Sequence, residues 1–192
     1  MTEIPQQSDS DLIISYLGGA ESALTILINR HLRAVYNFVY RLTYNKENTE
    51  DIVQETFFKV WKNLKKFRVG ENFKTWLFTI ARNSTIDFLR KKKEYVFSDF
   101  ENTEGGNHLA DSLTDPEPLP DALVEQLEKT KMLEELLSKL SLLYREVLML
   151  RYNEDLTFEE ISKVLGKPLD TVKSQHRRAL IELRKLIVPQ NV

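Results

Sequence analysis

The chain has 192 residues, 27 basic and 29 acidic, and no cysteine. That excludes a disulfide framework, a thiolate metal site and a cysteine nucleophile. Hydrophobic residues at 42% are too many for a wholly disordered chain. No apolar run approaches the ~20 residues of a membrane span, and the N-terminus lacks the basic-then-apolar order of a secretory leader. Six glycines and six prolines, about half the usual share, predict an all-α protein. The net charge of −2 hides a segregation. Residues 26–93 carry 15 basic and 6 acidic side chains, whereas 94–130 carry one and ten. Charge arranged in this way bears on partners rather than on fold.

The expected organisation is a tail and lead-in at 1–19, a basic helical unit at 20–94, an acidic flexible linker at 95–121 and a second helical unit at 122–188. In the first unit, Leu24, Leu27, Ile28, Leu32, Val35, Val39 and Leu42 recur at three- and four-residue steps, which predicts a helix. Asn45 to Thr49 reads as a turn. Asn48 or Thr49 would cap the next helix, with Glu50 and Asp51 near its positive end. That helix carries Val53, Phe57, Val60, Trp61 and Leu64 on one face. A basic loop with Gly70 spans 65–73. Trp76, Leu77, Ile80, Ala81, Ser84 and Phe88 form a third stripe, which ends at Arg90 and the lysines after it.

The acidic strip contains Gly105, Gly106, Pro116, Pro118 and Pro120, which disfavour a packed core. Asp121 is a candidate cap for the second unit, with Leu123, Leu127, Leu133, Leu136, Leu137 and Leu140 as its first stripe. Ser141 is a candidate cap for a short helix holding Leu143, Val147, Leu148 and Leu150. Thr157 and Glu160 then form a capping-box pattern, and Gly166 ends the helix they begin. Pro168 suits the first turn of a final helix running to about Leu186.

Residues 157–186 have helix-turn-helix proportions. Projection of the last helix places Val172, His176, Ala179, Leu180, Leu183, Leu186 and Ile187 in one arc. Lys173, Ser174, Arg177 and Arg178 lie opposite. A helix with an apolar back and a cationic front fits a major groove, and Thr171 near its N-terminus suits a phosphate. The competing reading is a solvated basic face.

Between 57 and 93, aromatic residues alternate with cations, as in surfaces that hold single-stranded nucleic acid. Phe57, Trp61, Trp76 and Phe88 are expected in the core at their helical spacing. The loop aromatics Phe67 and Phe73 are the better candidates for stacking. Asp51, Gln54 and Glu55 share one helix edge. An acidic edge on a basic unit points to a protein partner, with helix solubility as the alternative.

Three stretches carry a family resemblance: Thr49-Glu-Asp-Ile-Val-Gln-Glu-Thr-Phe-Phe-Lys-Val-Trp61, Phe73-Lys-Thr-Trp-Leu-Phe-Thr-Ile-Ala-Arg-Asn83 with Asp87-Phe-Leu-Arg90, and Tyr144-Arg-Glu-Val-Leu-Met-Leu-Arg-Tyr152 continuing to Ser174. In this order the chain resembles the extracytoplasmic-function (ECF) group of bacterial RNA polymerase sigma factors. The resemblance implies a cytoplasmic protein that binds core RNA polymerase and directs promoter recognition, DNA melting and transcription initiation. Asp51, Gln54 and Glu55 would dock on the β′ clamp helices, and the second unit on the β flap. Lys65, Lys66, Phe67, Arg68, Phe73 and Lys74 would take unpaired bases of the −10 element, with Asn83, Asp87 and Arg90 at its upstream edge. Thr171, Lys173, Ser174, Gln175, Arg177 and Arg178 would read the −35 element in the major groove. The linker would run through the RNA exit path, its acidity imitating nucleic acid. An anti-sigma partner is implied, and neither a cofactor nor a metal. Gln175, the following His176, Arg177 and Arg178, and the Lys167-Pro168 turn depart from the family pattern, so the −35 sequence does not carry over. In the free protein the two units can pack together and hide their DNA faces.

Two other classes are weighed. A stand-alone helix-turn-helix regulator would be a dimer on a palindrome, but it leaves the basic, aromatic-rich 57–93 stretch unexplained. An enzyme would need chemistry that the sequence does not group: His31, His108 and His176 lie far apart, and no metal-ligand, P-loop or nucleophile-elbow motif occurs.

Overall fold

A computed structural model describes residues 7–98 and 131–187, and every regular element among them is helical. The expected cap Asp121, the apolar positions Leu123 and Leu127 and the linker glycines and prolines lie outside the described residues.

The first helix, α1 (Asp9–Leu17), falls within the tail and lead-in expected at 1–19, where no helix was predicted. Its local cause is a capping box. The Ser8 hydroxyl accepts from the Asp11 backbone N–H at 3.2 Å, and the Ser8 N–H donates to the Asp11 carboxylate at 3.1 Å. The Ser8 hydroxyl, which donates to the Asp11 carboxylate at 2.7 Å, and then the Ser8 N–H hold the Asp11 carboxyl below its usual range. Buried Leu12 and Ile13 turn α1 onto α2 (Glu21–Thr43). Asp9 fastens it there, reaching Arg30 at 2.6 Å and His31 at 2.8 Å.

α2 ends at Tyr44, which takes the left-handed conformation (φ 48°). α3 (Lys46–Asn63) starts earlier than expected because Asn45, not Asn48 or Thr49, is its cap; the Asn45 side chain accepts from the Asn48 N–H at 2.8 Å. A 3-10 turn (Leu64–Lys66) follows. α4 (Phe73–Ser98) then runs past the linker boundary expected at 94/95. Asn72 caps it, accepting from Thr75 N–H at 3.1 Å. The core of this unit joins Leu27, Val35, Val39, Ile52, Val60 and Leu77, with Phe38 and Phe78 edge-to-face at 5.2 Å. Two expected core positions are corrected: Leu32 is 41% and Trp61 50% exposed, because their sides of α2 and α3 have no third layer over them.

Among the described residues the second unit starts with α5, helical over 131–138, followed by α6 (Leu142–Leu148). Ser141 precedes α6 in extended backbone but makes no side-chain cap bond. A π-helical turn (Met149–Asn153) follows, closed by the Glu154 N–H on the Met149 carbonyl at 3.2 Å. α7 (Phe158–Leu165) has the full Thr157–Glu160 capping box and ends at Gly166 with φ 61°. That value lies in the left-handed region that glycine adopts without penalty. α8 (Leu169–Ile187) starts one residue after Pro168, whose carbonyl accepts from Val172 N–H at 3.1 Å. The proline therefore caps α8 rather than sitting in its first turn. α4 packs across α7 and α2 touches α6, so the two units are in contact.

Candidate nucleic-acid interface and docking surfaces

α8 is held by its back. Val172 and Ala179 are fully buried, and Leu183 is half-buried. His176 lies between Tyr152 (Oη to Nε2, 3.0 Å) and Phe158 (ring centroids 5.1 Å). Burial, reinforced by Arg151, holds this imidazole below its ordinary value. Arg151 itself lies over the Phe158 ring at 5.1 Å and donates to the Leu156 carbonyl at 2.9 Å. The front of α8 presents Lys173, Ser174, Arg177 and Arg178, all exposed. Thr171 and Gln175 are only partly exposed, and the Gln175 side-chain oxygen is enclosed. Gln175 is therefore turned toward the body rather than out with the four. The expected apolar arc breaks down past Ala179: Leu180, Leu186 and Ile187 are 38%, 36% and 50% exposed.

On α3, Asp51, Gln54 and Glu55 are all exposed. Glu55 pairs with Lys59 at 2.8 Å, and Lys59 in turn donates to the Ser84 hydroxyl at 2.9 Å. Asp51 and Gln54 border an open groove between α2 and α3 whose walls include Ile28, Leu32, Tyr36 and Phe57. Sequence reasoning missed Phe58 and Trp61 as surface residues. They are 56% and 50% exposed, with ring centroids 5.8 Å apart. Their spacing from Gln54 and Glu55 puts them on the same face of the helix, and that spacing was the available signal.

The basic loop divides differently from expectation. Lys65, Lys66 and Arg68 are exposed, but Phe67 and Phe73 are buried. The two rings meet edge-to-face at 5.6 Å and pack on Trp76 at 5.2 and 5.8 Å. This corrects the stacking role expected of them: the rings anchor the loop to α4 and leave no face for a base. Asn83, Asp87 and Arg90 are exposed along α4, with Asp87 and Arg90 paired at 3.5 Å.

Lys74 is not open to solvent chemistry in the same way. Its ammonium reaches the Glu154 carboxylate at 3.0 Å and the Glu154 carbonyl at 2.7 Å. Two further contacts cross the same boundary. Arg82 Nε donates to Glu146 at 2.9 Å, and Asn72 donates to Glu160 at 2.6 Å. Glu146 is almost fully enclosed, so burial raises its carboxyl above the usual range against the pull of Arg82. Burial would also raise Glu160, but hydrogen bonds from Thr157 and Asn72 hold it below. Beside this pair, Arg145 donates to the Arg41 carbonyl at 3.0 Å and lies over the Tyr44 ring at 5.0 Å. Nothing in the sequence paired these residues.

Among the described residues no helix is long and apolar enough to cross a membrane, and no group of three or more His, Asp or Glu is placed to hold a metal. Comparison with known proteins matches the Sigma-70 region 2 family model to residues 27–95 and the Sigma-70, region 4 model to residues 130–183. The chain is 34% identical over 169 residues to the ECF RNA polymerase sigma factor SigW of Bacillus subtilis, covering 87% of this chain and 90% of SigW. It is 31% identical to the RNA polymerase sigma factor YlaC of the same organism, covering 83% and 88%. Among solved structures, the sigma factor RpoE of Bartonella quintana, in complex with the anti-sigma factor NepR, matches at 26% identity and TM-score 0.67, covering 85% of this chain and 96% of that one. With both family models in order along two helical units, the chain belongs to the ECF group of RNA polymerase sigma factors, and its function is to direct transcription initiation.

Proposed function

We propose that this sigma factor divides promoter reading between its two units, 20–94 and 122–188, and works in the cytoplasm on bacterial core RNA polymerase. The observation that carries the reading is the front of α8: Lys173, Ser174, Arg177 and Arg178 stand exposed together on a helix whose back is buried behind a left-handed glycine turn. That front enters the major groove of the −35 element, with Thr171 and the helix start toward a phosphate. The unpaired −10 strand lies along Lys65, Lys66, Arg68, Lys74, Asn83 and Arg90, where cations follow phosphates. Asp87 holds Arg90 in place. Asp51, Gln54 and Glu55 dock on the β′ clamp helices, and the exposed Phe58–Trp61 pair extends that dock with apolar area. The second unit sits on the β flap, and the acidic linker follows the RNA exit path. The chain acts through binding energy and performs no bond chemistry. An anti-sigma factor as a further partner is supported by the RpoE relative, whose solved structure holds one.

The test is co-elution with purified core polymerase. Wild type co-elutes, and the Asp51→Ala/Gln54→Ala/Glu55→Ala variant is lost from the complex while staying folded. No co-elution of wild type, with the chain running as a dimer, would move the reading to a stand-alone regulator.

A further inference from the structure

Tyr152 belongs to the π-helical turn (Met149–Asn153) and is 58% exposed, so no layer of the protein covers it. What fixes its hydroxyl is His176 on α8, whose Nε2 lies 3.0 Å from Oη. The two rings are 5.6 Å apart, and Phe158 closes the imidazole on another side at 5.1 Å. Lys173 lies three residues before His176 and Arg177 directly after it, so the pair stands at the edge of the cationic front. Phe158 opens α7, the helix that crosses the DNA backbone when a helix-turn-helix sits in a groove. An exposed hydroxyl at this corner stands where a groove-edge phosphate passes, and tyrosine is among the side chains that bond phosphates.

The bond between Oη and Nε2 is sensitive to charge on the ring. A neutral imidazole can accept the tyrosine hydrogen, which spends the O–H. A charged imidazole carries hydrogen on both nitrogens and can only donate, which leaves the O–H for another acceptor. We propose that Tyr152 is a further contact to the −35 backbone, committed by His176: as a phosphate approaches, the imidazole takes a proton from solvent, Nε2 donates to the Tyr152 oxygen, and the Tyr152 O–H turns to the phosphate. The inference rests on the −35 assignment of α8 above. In the free chain burial, and then Arg151, hold the imidazole below its ordinary value. Its other charged surroundings are Lys173 and Arg177 on α8, Glu159 and Glu160 beside Phe158 on α7, and Glu154 at the end of the π turn. Glu160 is engaged by Thr157 and Asn72, and Glu154 by Lys74. The balance near the ring is cationic until a phosphate arrives, and that opposite charge then favours the imidazolium. The bound chain therefore holds a proton that the free chain lacks. Duplex affinity rises as pH falls through the bound value and levels off below the free one. One proton limits the rise to about tenfold per pH unit.

The test is fluorescence anisotropy of holoenzyme on a fluorescein-labelled −35 duplex selected from a pool, read between about pH 8 and pH 5.5, across the histidine range. Tyr152→Phe removes the hydroxyl alone, and the ring is already exposed, so the fold is kept. His176→Gln keeps a side-chain donor without a titrating ring. The raised Glu146 carboxyl and every polymerase group stay in all three proteins, so the affinity ratio of wild type to variant isolates the pair. The ratio to Tyr152→Phe is expected near one at the upper end and to climb as pH falls, by up to about tenfold per unit. The ratio to His176→Gln climbs with the same slope. A ratio to Tyr152→Phe that stays constant with pH overturns the proposal, whatever His176→Gln does to the packing of α8. Lys173→Ala/Arg177→Ala keeps the two ideas apart. If it binds the duplex as wild type does, the −35 assignment fails; if it binds weakly while the Tyr152→Phe ratio stays flat, only the Tyr152 contact fails.

Discussion

Replacing Lys173, Arg177 and Arg178 together by alanine changes the salt dependence of promoter binding by an amount that the structure sets. All three side chains are exposed on the front of α8, and the buried back of Val172 and Ala179 is left intact, so the helix stays in place. Each cation that neutralises a phosphate contributes about 0.9 to the slope of log affinity against log salt. Three such contacts contribute ~2.7, so over a fourfold rise in salt wild type loses on the order of 40-fold more affinity than the variant. A cation that reads a base edge instead leaves the slope nearly unchanged and relaxes base preference by roughly 1–3 kcal/mol at one position. Single substitutions therefore sort the three residues into phosphate and base contacts. The assay is fluorescence anisotropy of holoenzyme on a −35 duplex chosen first by selection from a pool, repeated across salt. Lys185→Ala is the comparison, because that ammonium is already paired with Glu182 at 2.9 Å. If the triple variant keeps both the wild-type slope and the wild-type base preference, α8 does not enter the groove and the front of this helix is a solvated face.

Thr157→Ala removes one half of the α7 capping box and is expected to cost about 1 kcal/mol, read as a lower urea midpoint with an unchanged slope; an unchanged midpoint would mean that Glu160 and Asn72 hold the helix start without it. Arg82→Ala leaves the enclosed Glu146 carboxylate without its main partner, an expected loss of roughly 3–5 kcal/mol for the packing of the two units near neutral pH. The Glu146 carboxyl is raised by burial, so the packed units bind a proton that separated units release: packing recovers as pH falls and is lost again as pH rises through the raised value. The separation of spin labels at Asn37→Cys and Lys163→Cys, exposed positions on opposite units, measures this across pH in the variant, and a pH-independent separation would place the burial cost elsewhere.

Several features were legible in the chain because local chemistry decides them. The Thr157–Glu160 box and the Gly166 stop need only residues three to nine positions apart, and both stand where expected. The buried back of α8 followed from helical spacing, at least as far as Ala179. The exposed acidic edge on α3 was legible for the same reason, since a helix of known phase has a known outside. The three-residue shift at the start of α3 marks the limit of that reasoning: Asn45, Asn48 and Thr49 are all competent caps, and only the chain's exit from Tyr44 in the left-handed region selects Asn45.

Periodicity says which side of a helix is apolar, not whether anything covers it. Trp61 and Phe57 have equal claim to a core by spacing, yet Phe57 faces the groove wall on α2 and Trp61 faces outward. Phe67 and Phe73 err in the opposite direction. A loop position suggested exposure, but Trp76 and His31 supply walls that draw both rings in. The helix at Asp9–Leu17 was passed over although the Ser8–Asp11 capping box is a local signal; what fastens it to α2, Arg30 and His31, lies on another element. Hydrophobic spacing and capping are properties of a few neighbouring residues, so the sequence alone determined an all-helical sigma factor with a cationic final helix. Arg82 and Glu146 are 64 positions apart, and each by itself is an ordinary charged helix residue. Only the packing of the two units, α4 across α7 and α2 on α6, brings Arg82 to Glu146 on α6 and encloses the carboxylate. The covering of Asn72, Lys74 and Arg82 was thus decided by tertiary structure, because the burial that gives this contact its energy does not exist until the two units meet.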